Sequence, residues 1–284
     1  MNITIRSISD LCNGIVRHPL RLAVHVFTGF SVLFTIIRGI THFVQGVKIE
    51  GPVAFAVVVL ISVVYGLKKI WKPSQIEIMV PNTSTTIEVL FGDLFAQDGV
   101  RAIAVSEFFD SQLGKPVSDK SLHGIFLKKC FGGHPESFDK QVNEQLVSMQ
   151  AVPTAKREGK TNSYAIGTTV LVTADQDRYI AFALAKAEPD TCKAYSDVTM
   201  MWTALHQLWQ RARIETNGHP VNVPLVGSGL SGMGLPTRDL LNLIILSAIT
   251  ETKARQVTNR IRIVLHRDRF EELDLRDVKT HWEE

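Results

Sequence analysis

The chain is poor in cysteine, with three in 284 residues: Cys12, Cys130 and Cys192. An odd number of widely spaced cysteines excludes a disulfide framework and offers no metal-ligand spacing, so no metal is expected and the bulk of the chain reads as cytosolic and reduced. The motifs of hydrolytic catalysis are missing too. There is no Gly-x-Ser-x-Gly, no His-Glu-x-x-His and no paired-cysteine motif, and the nine histidines are scattered, so no catalytic residue is assigned. Acidic residues are scarce at one end, since residues 1 to 72 hold eight Lys/Arg against two Asp/Glu, whereas the remainder holds 23 against 26. The larger part therefore lacks the basic excess that phosphate-backbone binding needs, which disfavours a nucleic-acid role, and no nucleic-acid partner is expected. Repeats and low-complexity segments are also lacking, and 45% apolar with 21% charged residues is too apolar for disorder.

What the chain does have is long uncharged runs. Leu22 to Ile37 and Gly51 to Leu67 carry no formal charge, and with flanking Arg and Lys reaching outward each is long enough to cross a hydrocarbon core about 30 Å thick. The reading is a membrane hairpin in residues 1–72, with spans at about 20–40 and 50–67, followed by a body at 73–284. Arg6, Arg17 and Arg21 precede the first span and Lys68, Lys69 and Lys72 follow the second, while the turn near Gln45 to Glu50 carries only Lys48 and Glu50. By the positive-inside rule both termini face the cytoplasm. The expectation is a multi-pass protein of the cell membrane.

Within the first span His25, Thr28, Ser31, Thr35, Arg38 and His42 recur every three or four residues and share a helical face. Polar side chains in lipid turn toward protein or water. Two readings stay open: a self-association face or water-lined path in a homo-oligomer, and hydrogen bonding to the second helix, where Ser62 and Gly66 make a small-xxx-small surface.

After Lys72 short β-branched runs alternate with amphipathic stretches. Strands are expected at Ile76 to Val80, Thr85 to Phe91, Ala102 to Ser106, Gly167 to Thr173, Tyr179 to Ala185, Val221 to Val226 and Ile261 to Leu265. Helices are expected at Ser137 to Gln150, Ser196 to Ile214, Thr237 to Ala254 and in a piece from Phe270. This pattern makes an α/β domain with one mixed sheet flanked by helices. The polar stretch Thr154 to Asn162 (TAKREGKTN) is expected to be a solvated surface loop.

The segment Val221 to Asp239, VNVPLVGSGLSGMGLPTRD, reads as a buried strand, a glycine-rich turn (Gly227, Ser228, Gly229, Leu230, Ser231, Gly232) and a helix opened by Pro236 and Thr237. Glycines let backbone amides approach an anion and a helix N-terminus adds favourable partial charge, so the turn is a candidate pyrophosphate cradle; a ligand-free structural turn is the alternative. No Gly-Lys-Ser/Thr follows, which excludes a P-loop, and no acidic strand end is placed for a dinucleotide fingerprint.

Together these pieces resemble a macrodomain, the three-layer α/β/α fold that binds ADP-ribose. IEVLFGDLF (Ile87 to Phe95), RAIAVS (Arg101 to Ser106) and PLVGSGLSG carry the resemblance. It implies that Asp93 accepts a hydrogen bond from the adenine amino group and that the amides from Gly227 to Gly232 hold the diphosphate. The sequence departs from hydrolytic macrodomains between Ser106 and Gly124, where neither an Asn-Ala-Ala-Asn-like run nor a polyglycine loop is present. In their place Phe108 or Phe109 is a candidate for ring stacking and Asp110 for a ribose hydroxyl or an amine. Lys120, Ser121 and His123 are candidates for phosphate or a substituent beyond the distal ribose; the ordinary alternatives are core packing for the phenylalanines and a satisfied loop histidine. Ser106 closes the strand beside them.

A membrane hairpin followed by a divergent macrodomain with DKSLHG and PLVGSGLSG resembles the membrane-anchored effectors of bacterial Thoeris anti-phage defence, the ThsA type. That resemblance implies a sensor without cofactor. Its ligand is an ADP-ribose derivative, with histidine-ADP-ribose the family-level candidate, made from NAD by a TIR-domain partner. Binding leads to oligomerisation, membrane disruption and abortive infection. The alternative is a membrane-tethered ADP-ribosyl hydrolase or NAD-consuming enzyme.

Overall fold

Three helices make up the N-terminal part of the structure, a computed structural model that describes residues 3–44, 46, 51–156, 158–229 and 232–283. Helix α1 (Ile3–Arg17) is followed after His18 by α2 (Pro19–Phe43), and α3 (Pro52–Ile70) returns alongside it. Proline opens both long helices, where its missing N–H costs nothing. Both are long and apolar enough to cross a membrane. The expected connecting turn, apart from Gly46, lies outside the described residues. No element was expected before the first span, so α1 is new.

Small residues set the approach of α3 to α2. Gly66 lies so near that a Cβ there would stand 2.5 Å from a methyl of Val26, and Gly29 backs onto Ser62 and Tyr65. Ser62 is fully buried and donates to the Val58 carbonyl at 2.7 Å. The small-xxx-small surface is thus the hairpin's seam. The polar stripe of α2 is elsewhere: Thr28 donates to its own Val24 carbonyl at 2.8 Å, and Thr28, Thr35, Arg38 and His42 are exposed. His25 and Ser31 of the stripe are half-buried, and among the described residues no hydrogen bond joins Thr28, Thr35, Arg38 or His42 to α3.

Residues from Gln75 onward form a second unit, distinct from Met1–Ser74. Its strands are β1 (Gln75–Met79), β2 (Thr86–Phe91), β3 (Val100–Ser106), β6 (Thr169–Ala174), β7 (Asp177–Ala187), β9 (Val221–Pro224) and β10 (Arg260–Leu265), with short β4 (Val152–Pro153), β5 (Asn162–Ser163) and β8 (Ala194–Tyr195). The sheet runs β1-β2-β10-β9-β3-β7-β6, with β8 added to β7. Neighbours from β2 to β7 are parallel, and β1 and β6 close the edges antiparallel. The helices are α4 (Leu122–Phe131), α5 (Glu136–Leu146), α6 (Val198–Glu215), α7 (Thr237–Ala254) and α8 (Leu275–Glu283).

Each sheet face buries its own core, as a mostly parallel sheet requires. On one face Trp209, Leu205 and Leu208 of α6, Ile244 and Ile245 of α7 and Val278 of α8 pack on Ile87, Val223 and Ile263. On the other, Phe126 and Leu127 of α4 and Phe138 and Val142 of α5 pack on Ile103, Ala181 and Val172. The result is a three-layer α/β/α domain with a mixed sheet. The chain leaves β3 toward the β6–β7 side and returns through α6 to β9 on the opposite side, which makes β3 the topological switch point.

Gly66→Leu is expected to lower the thermal unfolding midpoint in detergent by several degrees, because the new side chain must force α2 from α3. Gly39→Leu, where nothing lies within 4 Å, is expected to leave that midpoint unchanged.

Candidate functional site

At the carboxyl ends of β3, β7 and β9 opens a cleft of about 750 Å³, where open α/β sheets bind ligands. Ala104 to Ser106, Leu184, Ala185 and Ala187 form its floor, and the turn Pro224–Gly229 forms one wall. Asp110, Pro116 to Ser118 and Lys120 to His123 form the facing wall, and Cys192 to Ala194 a rim. The β3–β7 register slips by one residue between Val105 and Ser106, and such a bulge at a functional edge re-aims side chains.

Two backbone segments with amide donors line this space. Among the described residues no protein acceptor meets the amides of Gly227 and Gly229. Gly227 holds the turn at φ +82°, and the Ser228 hydroxyl donates back to Leu225 at 2.9 Å. The second segment is the first turn of α4, a helix the sequence reading leaves as loop. Ser121 caps it: its hydroxyl accepts from the Gly124 amide at 3.0 Å and donates to the Ser118 carbonyl at 2.7 Å. Gly124 permits this fold, since a Cβ there would stand 2.2 Å from the Ser118 oxygen. The free amides of Leu122 and His123, with the positive end of the helix dipole, belong to the cleft. The helix terminus expected there was that of α7. Residues 232–239 are not among the lining residues; Thr237 instead bonds to Glu272 at 2.5 Å.

Beneath the facing wall lies a buried ionic cluster. Asp110 is buried; one carboxylate oxygen accepts the Lys160 amide at 2.7 Å and the other is paired with the Lys156 ammonium. The Lys156 side chain is fully buried, with its ammonium 4.1 Å from the Phe108 ring centroid. Lys160 donates to the Phe109 carbonyl at 2.8 Å and pairs with Asp139 at 2.5 Å, and Ser111 donates to that same carboxylate at 2.7 Å. Gly159, at φ +84°, brings the backbone against Asp110, where a Cβ would stand 2.3 Å from the carboxylate. Two charges buried together need this pairing, since either alone would be strongly destabilising. The stretch Thr154 to Asn162 stays at the surface, with Ala155, Thr161 and Asn162 exposed, but two of its lysines turn inward: Lys156 to the buried Asp110 and Lys160 to the partly exposed Asp139.

His123 lines the cleft, is buried, and packs near Phe126 and Phe138 with ring centroids 6.5 and 5.7 Å away. Its Nε2 has no hydrogen-bond partner among the described residues. Burial, helped by the nearby Lys160 charge, pushes its pKa down to about 3. The ring is neutral at physiological pH, as suits an imidazole buried among phenylalanines.

The structure brings Ser106, Asp110, Lys120, Ser121, His123, Gly227, Ser228 and Gly229 together around the cleft. Leu230 and Ser231 lie outside the described residues, and Gly232 is exposed and not among the lining residues. Several roles change. Phe109 is fully buried in the core, edge-on to Tyr164, with backbone at φ +50°, so it is no stacking platform. Phe108 is buried likewise. The oxygens of Asp110 and the hydroxyl of Ser121 are committed to structure. Asp93 is not among the lining residues; it caps a 3₁₀ turn by accepting the Phe95 amide at 2.9 Å and pairs with Lys129 at 3.2 Å, near the far end of α4 from the cleft. Burial opposes its ionisation, but the Phe95 and Lys129 bonds prevail and hold its carboxyl below the usual range. Ser118 of the facing wall, Cys192 and Lys193 of the rim, and Lys156 and Lys160 below were not among the residues expected from the sequence. Cap signals for α4 were present in Ser121, Lys128, Lys129 and Gly132.

A three-layer domain with a mixed sheet, its cleft at the switch strand between a glycine turn and a helix N-terminus, is a macrodomain. Solved macrodomains of Oceanobacillus iheyensis share this fold. One, with ADP, is 10% identical at a TM-score of 0.52, over 74% of this chain and 97% of that one. A variant of it with ADPR is 12% identical at a TM-score of 0.52, over 74% and 100%. No curated protein is similar enough to count as a match. Residues 87–266 match the family described as Thoeris protein ThsA, Macro domain. The chain belongs to that family.

Lys156→Met strands the Asp110 carboxylate and is expected to cost about 3–5 kcal/mol in urea unfolding; adding Asp110→Leu should restore much of the loss. For His123 the folded pKa lies below the unfolded value of 6.5, so its contribution is full above pH 6.5 and is lost as pH falls toward 3. Between pH 6.5 and 5 that amounts to about 2 kcal/mol, a slope that His123→Gln should remove from the stability–pH curve.

Proposed function

We propose that this chain is a membrane-anchored receptor for an NAD-derived ADP-ribose derivative and an effector of anti-phage defence. The carrying observation is the cleft itself, where Gly227 to Gly229 and the first turn of α4 line one space large enough for a nucleotide. Oriented amides suit a diphosphate without requiring a cationic surface. The fold neighbours with ADP and ADPR and the membership in the ThsA macrodomain family support this choice. The signal comes from a TIR-domain partner, and histidine-ADP-ribose is its first candidate.

Binding, not turnover, is the proposed activity. Supporting this, the segment 106–124 has no asparagine to orient a water, and the Asp110 oxygens are held by Lys156 and Lys160. Helices α2 and α3 cross the cell membrane with both termini in the cytoplasm, as the cationic flanks favour. The exposed Thr28–Thr35–Arg38–His42 stripe, turned from α3, then meets other copies in a homo-oligomer or lines a water path, and assembly disrupts the bilayer.

Titration calorimetry of the full chain in detergent should show stoichiometric binding of ADP-ribose or its conjugates, without release of product. Nothing lies within 4 Å of a Cβ at Gly229, so Gly229→Ala should fold and bind, whereas Gly229→Glu should fold and lose binding through a carboxylate aimed at the diphosphate. Steady turnover would favour the hydrolase reading, and indifference to every conjugate would remove the receptor reading. Replacing Thr28, Ser31 and Thr35 together with Leu should abolish membrane leakage while leaving calorimetric binding intact.

A further inference from the structure

Helix α1 is not accounted for by the hairpin or by the cleft. At 100° per residue, Leu11, Ile15, Ile8, Cys12 and Val16 fall on one arc of about 140°, and Ser9, Asn13, Arg17 and Asp10 on the other side. This is an amphipathic helix. Its contacts with the rest of its unit use the wrong face for core packing. Gly14 closes on α3, where a Cβ would stand 2.8 Å from the Ile70 carbonyl, and the Asp10 carboxylate accepts the Ser74 amide at 3.0 Å and its hydroxyl at 3.1 Å. Leu11 and Ile15 are half-buried, but Ile8 is 58% and Val16 80% exposed, and Cys12 is exposed between them. The apolar stripe is therefore left open while the polar side is tied down.

Its position identifies the occupant. The chain leaves the helical path at His18 (φ −133°, ψ 56°) and enters α2 at Pro19, so α1 sits where the first apolar helix begins and the antiparallel α3 ends. Arg17, Arg21, Lys68 and Lys69 lie at that end of the pair, with Lys72 just beyond. Fifteen helical residues reach about 22 Å, too short to cross a core of about 30 Å. A short amphipathic helix joined to a span, beside a cluster of cations, matches a membrane interface with anionic headgroups.

We propose that α1 is an interfacial anchor, with Ile8, Cys12 and Val16 buried at the headgroup–acyl boundary of the bilayer that α2 and α3 cross. The proposal rests on reading those two helices as spans. As an anchor, α1 pins the end of α3 to the membrane surface through Gly14 and Asp10, at the point where the chain leaves the hairpin for the ligand-binding unit.

The test uses the full chain with Cys130→Ala and Cys192→Ala, labelled at Cys12 with an environment-sensitive fluorophore and reconstituted in phosphatidylcholine–phosphatidylglycerol vesicles. A second sample carries the label at Val32→Cys, with Cys12 also replaced by Ala, as a reporter of the span. The Cys12 label should show blue-shifted emission and be quenched several-fold more by lipids spin-labelled near the headgroup than by those labelled near the chain end, while the Val32 site shows the reverse. Ile8→Glu with Val16→Glu should return the Cys12 emission to its water value. Water-like emission at Cys12 with normal quenching at position 32 overturns the proposal and leaves the spans standing. Self-quenching that rises with protein-to-lipid ratio overturns it in favour of a second copy on the stripe. Loss of quenching at both sites overturns the proposal together with the spans.

Discussion

The cleft depends on one buried carboxylate. Asp110 follows the switch strand by four residues and holds, through Lys156 and the Lys160 amide, a loop nearly fifty residues further on. Because Lys160 also bonds the Phe109 carbonyl and pairs with Asp139 of α5, three separate segments are fixed in one place. The left-handed backbone at Phe109 is of the kind that persists only where surroundings over-determine it, and here the lysine bond and the ring's burial do so. With that wall held, Ser121 caps α4, and the first turn of α4 lines the same cleft as the glycine turn. Preorganised amides gain most because nothing has to reorder when an anion arrives.

The electrostatic character of the site follows from what is neutral in it. Lys156 and Lys160 are matched by Asp110 and Asp139, so the cluster contributes rigidity and little net field. His123 is held uncharged by burial and by Lys160. In the proposed receptor, attraction for an anion would be left to backbone N–H groups, a helix terminus, Lys120 of the facing wall and Lys193 of the rim. This is how a unit with more acidic than basic residues would hold an anion. Net charge describes the whole surface, whereas amides act within a few ångströms and are invisible to a count of charged residues.

The fold was legible because its signals are periodic. Strand expectations from Ile76 to Leu265 fall on the observed strands, and Thr237–Ala254 is matched end to end, because alternating and 3.6-residue patterns mark burial directly. The site was half legible. The glycine turn could be located, but the helix terminus beside it was assigned to α7 because α7 follows in sequence, whereas α4 is brought there by the sheet. Lys156 and Lys160 looked solvated because nothing local shows that Asp110 lies opposite; a contact spanning about fifty residues leaves no trace in spacing. Asp93 was placed by resemblance, and its Lys129 partner, 36 residues on, is equally non-local. In α1 the amphipathic period was present, but the long uncharged run beside it dominated the reading.

How a cleft could act on a membrane is a question of free-energy differences. A ligand shifts an equilibrium only by its differential affinity, so in the proposed sensor the nucleotide must bind the assembled form more tightly than the free form. A shift of about 3 kcal/mol requires roughly 150-fold tighter binding to that form. A cleft whose walls are already locked by Asp110 and Ser121 has little freedom to supply such a difference through its own closure. The difference is more naturally found where Lys120 and Lys193 are exposed and a bound nucleotide would present new surface to a neighbouring copy. In the proposed sensor the rigid wall would secure affinity and the exposed lysines at the cleft would secure the coupling. The two properties are then separable: charge reversal at these lysines should weaken assembly more than binding, and stranding the buried carboxylate should do the opposite.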